Sequence, residues 1–342
     1  MRAAIYHGPG NIRVEDVEPP QLETDTDVIV RVTNAAVGQR DLAAYRGHGE
    51  YEVGAITGRE FVGVVTEVGS EVRTVRVDDL VVSPPTWSCG RCEYCRAGLQ
   101  SSCGEGGFYG EPGTYGAHGE MVRVPLADGT LVRVPNSMLG LERRILPLAA
   151  SMPFGYHAAL RAGVSHRTTV AVIGDGPIGL CAIQAVRLLG ATRVIVCGTN
   201  DDCLELASEY GATGVVRKDN VPEAIERVMS MTGGVDSVVQ TTPREGAWAL
   251  GFEIIKDGGC IGHVGIPAIR DIYDLRRVLD RNLSISGGVA PVRAYLPDLL
   301  QETVDGRLNA EAILDFTCGI EDIADGFAMM DDRIAIKSHI EF

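Results

Sequence analysis

The sequence predicts an α/β protein of two textures, a β-rich first third followed by a doubly wound parallel sheet. Three observations carry this. Before about residue 145 the chain reads as short alternating strands, VIVRV, FVGVVTEVG, VDDLVVSPP and EMVRVPLADGTLVRVP, punctuated by Gly, Pro and Asp. LPLAASMPFGYHAALRAG then turns Ala-rich with helical spacing. Finally, TTVAVIG passes through a Gly-rich turn into PIGLCAIQAVRLLG, and RVIVCG is followed by DDCLELASEYGA: strand, helix, strand, helix. SVVQTT and GCIGHVGI add strand-like segments, and mixed texture returns after about residue 290.

A chain of 342 residues suits two domains, and 45% hydrophobic with 23% charged residues fits a globular protein. The net charge of −15 argues against nucleic acid or an anionic membrane as a partner. No apolar run approaches the ~18 residues of a membrane span, and MRAAIYHGPG has no signal-peptide core, so a cytoplasmic location is expected. Basic residues are nearly all Arg, with lysine only at Lys218, Lys256 and Lys337. The nine cysteines are an odd number and four are clustered, which favours metal binding over disulfides.

Gly174-Asp175-Gly176-Pro177-Ile178-Gly179 is a G-x-G-x-x-G turn between a strand and a helix, the setting in which this pattern binds a dinucleotide. The first Gly makes the turn, the second admits the pyrophosphate, and the third lets helix and strand pack closely. The next strand ends at Gly198, Thr199 and Asn200, with no acid where one would bind the ribose 2′-hydroxyl of NAD. Gly198 leaves room for a 2′-phosphate, Thr199 and Asn200 can donate to it, and Arg217 and Lys218 can supply charge, so NADP(H) is expected over NAD(H). Thr199 and Asn200 can equally cap the helix that begins near Asp201.

Cys89, Cys92, Cys95 and Cys103 are spaced C-x2-C-x2-C-x7-C on a Gly-punctuated loop. Four thiolates suit one closed, structural Zn²⁺ per chain, with an iron–sulfur cluster as the alternative. Cys181, Cys197, Cys203, Cys260 and Cys318 read as buried apolar residues. One stretch breaks its own pattern. In ITGREFVGVV an apolar strand carries the adjacent charges Arg59 and Glu60, which need a partner or a task in such a setting.

With these motifs the chain resembles the zinc-containing medium-chain dehydrogenase/reductase family, the alcohol dehydrogenase-like group. The likeness rests on Asp41 to Gly47 (DLAAYRG), the Gly58 to Gly69 stretch, the four-cysteine lobe, VPLADGTLVRVP, the FGYHAAL helix, G-x-G-x-x-G and GGVAPVRAYLPDLL. It implies a GroES-like catalytic domain over residues 1–150 with a zinc lobe at about 86–106. It further implies a Rossmann domain over 151–290, a return to the catalytic domain over 291–342, and a cleft holding cofactor and small-molecule substrate. A homodimer or homotetramer is expected.

The departures from the family are at its catalytic metal. The positions of the three usual zinc ligands are Gly38, Arg59 and Ala150, and an alternative Glu position is Leu146. The proton-relay positions are Arg40 and Ala43, and Glu60 alone remains. One carboxylate beside a guanidinium cannot hold zinc. Arg59 is therefore expected to pair with Glu60 or to point into the vacated space, where its charge stands in for the metal. Arg40 and Arg59 together can grip an anionic group. Arg59, Glu60 and Arg40 are the catalytic candidates. His48, Tyr51, Tyr109 and His118 are possible proton donors, each as readily a surface or packing residue; His157 reads as structural, and Trp87 as a pocket wall or core residue. The expected activity is hydride transfer to an iminium, conjugated C=C, quinone or carbonyl substrate. An ordinary zinc alcohol or polyol dehydrogenase and a catalytically decayed cofactor-binding protein are the alternatives.

Overall fold

A computed structural model describes residues 1–48, 51–111, 113–265 and 275–342. The chain divides into two compact units, Met1–Ala150 with Pro291–Phe342, and Ser151–Ala290.

The second unit is built on a six-stranded sheet whose strands run Gly214–Arg217, Arg193–Gly198, Thr169–Ile173, Val235–Gln240, Ile255–His263 and Ser284–Gly287 from edge to edge. Every pairing is parallel, and the sequence order 3-2-1-4-5-6 is that of the doubly wound Rossmann fold. TVAVI is apolar throughout because the central strand is covered on both faces; four of its five residues are buried. The switch point is Thr169–Ile173, from which the chain winds first one way and then the other. Its C-terminal end opens directly into Gly174 and the helix Pro177–Leu188. GCIGHVGI forms the end of the strand Ile255–His263, and its last residue, 266, lies outside the described residues.

The first unit is centred on Val28–Ala36, a run buried at every residue but Arg31, Thr33 and Asn34. That strand pairs antiparallel with Glu60–Val68, with Met121–Val124 and with the C-terminal strand Ser338–Glu341. Ala36 is the shared neighbour: Glu60 stands opposite it on one side and His339 on the other. The chain's last strand therefore reaches the start of the Arg59–Glu60 stretch. The motif VPLADGTLVRVP is a helical turn, Ala127–Thr130, between Met121–Val124 and the strand Val132–Arg133. A two-stranded ribbon, Thr86–Trp87 with Gly107–Phe108, closes the base of the cysteine segment. No helix among the described residues is long and apolar enough to cross a membrane.

Candidate functional site

The loop Gly174–Gly179 is shaped by its glycines. Gly174 turns with φ of +120°, which an L side chain rarely adopts. A Cβ on Gly179 would lie 2.0 Å from the Gly174 carbonyl oxygen, so only glycine lets helix and strand approach this closely. A Cβ on Gly176 would meet nothing within 4 Å, which leaves that backbone open to a ligand. Pro177 is the first residue of the helix Pro177–Leu188, where its missing N–H costs nothing, and half-buried Ile178 follows. This cradle fits a pyrophosphate at a helix N-terminus.

The end of the neighbouring strand differs from expectation. Gly198 is buried, and a Cβ placed on it would lie 2.7 Å from both Cβ and Oδ2 of Asp175. The room expected there for a 2′-phosphate is thus occupied by a carboxylate from the glycine-rich loop. The backbone N–H groups of Thr199 and Asn200 donate to Asp175 Oδ2 at 2.5 and 2.8 Å. Asn200 also caps the helix Asp201–Glu209, its side chain accepting from the Cys203 N–H at 3.0 Å. Arg217 is engaged by Asp201, by Asp219 at 2.8 Å and by the Thr199 carbonyl at 3.0 Å. Lys218 is half-buried; burial lowers its pKa, while the nearby Asp175 carboxylate works to keep it charged.

The four cysteines are brought together, their sulfurs all within 4.8 Å of one another. Cys89 and Cys95, and Cys92 and Cys103, stand 3.9 Å apart. Four sulfurs around one zinc at ~2.3 Å are separated by about 3.8 Å in a tetrahedron. Backbone N–H groups already face the sulfurs: Cys89 N–H toward Cys103 at 3.3 Å, Cys92 N–H toward Cys89 at 3.4 Å, and Cys95 N–H toward Cys92 at 3.5 Å. The last of these lowers the Cys92 thiol to about 7, and burial raises Cys95 to about 12. This donor set fits zinc.

Around Arg59 the structure corrects the expected pairing. Arg59 and Glu60 are buried, 4% and 5% exposed, but they do not bond each other. Neighbours along an extended chain point to opposite sides. Glu60 Oε2 instead pairs with Lys337 Nζ at 2.9 Å, and Lys337 also donates to the Val37 carbonyl at 3.1 Å. Burial raises the Glu60 pKa, and the Lys337 ammonium opposes that rise. Arg59 faces Asp41, Nε to Oδ1 4.0 Å, and its guanidinium lies 5.0 Å from the Tyr51 ring centre and 5.3 Å from that of Phe108. Its buried Nε and Nη1 donate no hydrogen bond among the described residues. Arg40, on the helix Gln39–Tyr45, lies over the same Phe108 ring at 4.1 Å.

Asp41 organises this region. It accepts the Gly38 N–H at 2.7 Å, capping its own helix, and the Tyr51 hydroxyl at 2.5 Å. Tyr51 in turn accepts the Gly58 N–H at 2.9 Å. Burial and the Asp41 charge push the Tyr51 phenol above its usual range, so it keeps its proton. Burial works against the Arg59 charge, and Tyr51, Asp41 and Glu111 more than restore it. A Cβ on Gly38 would lie 2.7 Å from Glu60 Oε1 and 3.1 Å from Asp41 Oδ2, so Gly38, Glu60 and Asp41 do converge. Yet Gly38 and Ala150 offer no ligand atom, Asp41 and Glu60 are engaged, and the four cysteines are the sole potential metal-ligand group of three or more among the described residues. The site does not fit a second zinc.

The remaining candidates fall outside this array or serve packing. His48 is exposed. Tyr109 is fully buried, its hydroxyl paired with Ser83 at 2.9 Å, and Trp87 packs edge-on against its ring. His118 Nε2 donates to the Ala36 carbonyl at 3.2 Å, so its Nδ1 accepts from Thr57 at 2.9 Å; burial holds the ring neutral. Gly58, at φ of +95°, has no room for a Cβ against His118. His157 lies buried in the other unit, its pKa lowered to about 4 by burial. Sequence reasoning missed Lys337 and Asp175. The signals were there: a rare lysine ahead of the last strand, and an acid inside the glycine motif.

Two family models match, the alcohol dehydrogenase GroES-like domain over residues 24–136 and the zinc-binding dehydrogenase domain over 177–305. The chain is 33% identical to zinc-type alcohol dehydrogenase B of Aspergillus flavus, across 88% of this chain and 72% of that protein. It is 37% identical to a medium chain reductase/dehydrogenase of an Acremonium species, across 78% and 93%. Among solved structures, alcohol dehydrogenase TADH from Thermus sp. ATN1 superposes with a TM-score of 0.93 at 29% identity, covering 100% of this chain and 99% of that one.

Proposed function

The chain belongs to the zinc-containing medium-chain dehydrogenase/reductase family, and from that premise we propose an NAD(P)-dependent oxidoreductase that transfers hydride without a catalytic zinc, with Arg59 supplying the positive charge at the reacting centre. The observation that carries this is the buried Glu60–Lys337 pair at 2.9 Å. It neutralises Glu60, while the buried Nε and Nη1 of Arg59 beside it donate no hydrogen bond among the described residues. Leaving such donors unsatisfied costs about 1–3 kcal/mol each, a cost that a bound oxygen atom relieves.

The Gly174–Gly179 cradle and the N-terminus of Pro177–Leu188 hold the dinucleotide, which when bound accepts or supplies the hydride. Arg59 hydrogen-bonds the substrate atom on which negative charge grows, the task zinc performs in relatives that carry it. Asp41 and Tyr51 hold Arg59 in place and keep it charged. The phenol of Tyr51 is directed at Asp41, so it positions and does not surrender a proton readily. This machinery suits substrates that are already electrophilic, such as an iminium, a conjugated C=C, a quinone or a carbonyl. The case for NADP(H) over NAD(H) loses its footing at Gly198, where Asp175 takes the room, and retains only Lys218.

Cys89, Cys92, Cys95 and Cys103 hold one structural zinc, and the family reading carries a homodimer or homotetramer in the cytoplasm acting on a small molecule. Elemental analysis of purified protein, paired with NAD(P)H oxidation against aldehydes, enones and iminium compounds, tests the proposal. One zinc per chain and turnover that persists in a chelator are expected. A second, labile zinc whose removal stops turnover of a folded protein overturns it.

A further inference from the structure

We propose that Asp175 selects between the two nicotinamide dinucleotides, its carboxylate replacing the missing strand-end acid, accepting the adenosine ribose 2′-hydroxyl of NAD(H) and excluding the 2′-phosphate of NADP(H). The inference rests on reading Gly174–Gly179 as the cofactor cradle. In that cradle an acid at the end of the second strand is what binds the ribose. That position is Gly198, and the space its side chain would fill holds the Asp175 side chain, 2.7 Å from a Cβ built there. The acid is present; it is delivered by the glycine-rich loop and not by the strand.

Three features of the geometry favour NAD(H). The carboxylate occupies the volume beside Gly198 that a 2′-phosphate needs. It engages the Thr199 and Asn200 N–H groups, at 2.5 and 2.8 Å, which are the backbone donors a phosphate would use. It also sets a negative charge against a dianion. Both backbone bonds fall on Oδ2, and no hydrogen bond to Oδ1 is formed among the described residues, which leaves that oxygen for a ribose hydroxyl. The cations nearby do not reverse this. Arg217 is engaged by Asp201, Asp219 and the Thr199 carbonyl. Lys218 lies within electrostatic reach of Asp175, whose charge works to keep it protonated, and of Arg244.

The test is equilibrium binding of NADH, NADPH and the 2′-deoxyadenosine analogue of NADH to the full chain and to Asp175→Asn. The variant keeps an acceptor for the two backbone N–H groups and loses the charge. For the parent, NADH should bind more tightly than NADPH, and the deoxy analogue should bind on the order of tenfold more weakly than NADH, the scale of one charge-assisted hydrogen bond. Asp175→Asn should move the NADH-to-NADPH preference toward NADPH by about tenfold. Tighter NADPH binding by the parent, or a deoxy analogue as good as NADH, overturns the proposal even if the variant fails to fold. Binding with the wrong preference leaves the cradle reading intact, whereas binding of neither dinucleotide sinks both.

Discussion

Arg59 and Glu60 are adjacent, yet their fates separate at the first peptide bond. Glu60 is the opening residue of its strand and meets Lys337 from the chain's far end; Arg59 turns to Asp41. Two predictions follow from that division. Arg59→Ala should lower kcat by on the order of 10²-fold, the cost of losing one preorganised donor, with NAD(P)H affinity unchanged in a fluorescence titration. A fall in affinity equal to the fall in kcat would assign Arg59 to cofactor binding instead. Lys337→Met should destabilise the protein by about 3–5 kcal/mol in denaturant melts, because it strands a buried carboxylate. Glu60 already titrates above its ordinary value of 4.5, so the folded state binds its proton more tightly than the unfolded one. A carboxylate so shifted lowers stability as pH rises. Without Lys337 the loss should therefore be smallest near pH 4 and grow toward neutrality, and Lys337→Met with Glu60→Gln should recover most of it. A loss independent of pH would show that Lys337 acts by packing alone.

At the scale of elements, short segments held by one kind of contact are the sensitive ones. The Cys89–Cys103 loop contains two brief helical turns, Glu93–Arg96 and Gln100–Ser102, on a two-stranded ribbon. Segments so short bury little apolar surface, so on the proposed reading a zinc held by the four cysteines organises the loop. Cys92→Ser should abolish zinc in elemental analysis and open the lobe to proteolysis, with the parallel sheet intact by circular dichroism. Zinc retained at full stoichiometry in Cys92→Ser would remove that residue from the ligand set. The turn into Pro177–Leu188 depends on contact in the opposite way. Gly179→Ala drives a Cβ to 2.0 Å from a backbone oxygen that cannot step aside. It should cost about 1–3 kcal/mol by overpacking and abolish dinucleotide binding together.

At the scale of the molecule, building a metal site beside Glu60 should take more than three side chains. Gly38→Cys, Arg59→His and Ala150→Asp would put metal-ligating side chains at the three positions where the family resemblance places zinc ligands. However, a Cβ at position 38 would press on Glu60 Oε1 at 2.7 Å, and Glu60 is tied to Lys337. The triple variant should therefore still carry one zinc per chain, and adding Lys337→Ala, which frees Glu60, should raise the count to two. Two zincs in the triple variant would show that the Lys337 pair yields to the metal unaided.

Local pattern alone determined much of this protein. Alternation in VIVRV, the apolar TTVAVI and the G-x-G-x-x-G turn specify strands, a buried parallel sheet and a phosphate cradle, because backbone conformation and one-sided burial act over a few residues. The four cysteines were legible for the same reason: their ligand atoms lie within a single loop. That Gly38, Arg59 and Ala150 bear no metal-ligating side chain is a property of the sequence itself. Tertiary structure decided which charges meet. Lys337 reaches Glu60 across 277 residues (337 minus 60) only because the last strand pairs with Val28–Ala36. Asp175 fills the space at Gly198 only because the two strands lie side by side in parallel register. Ion pairing depends on distance in space, and sequence separation carries almost no information about it.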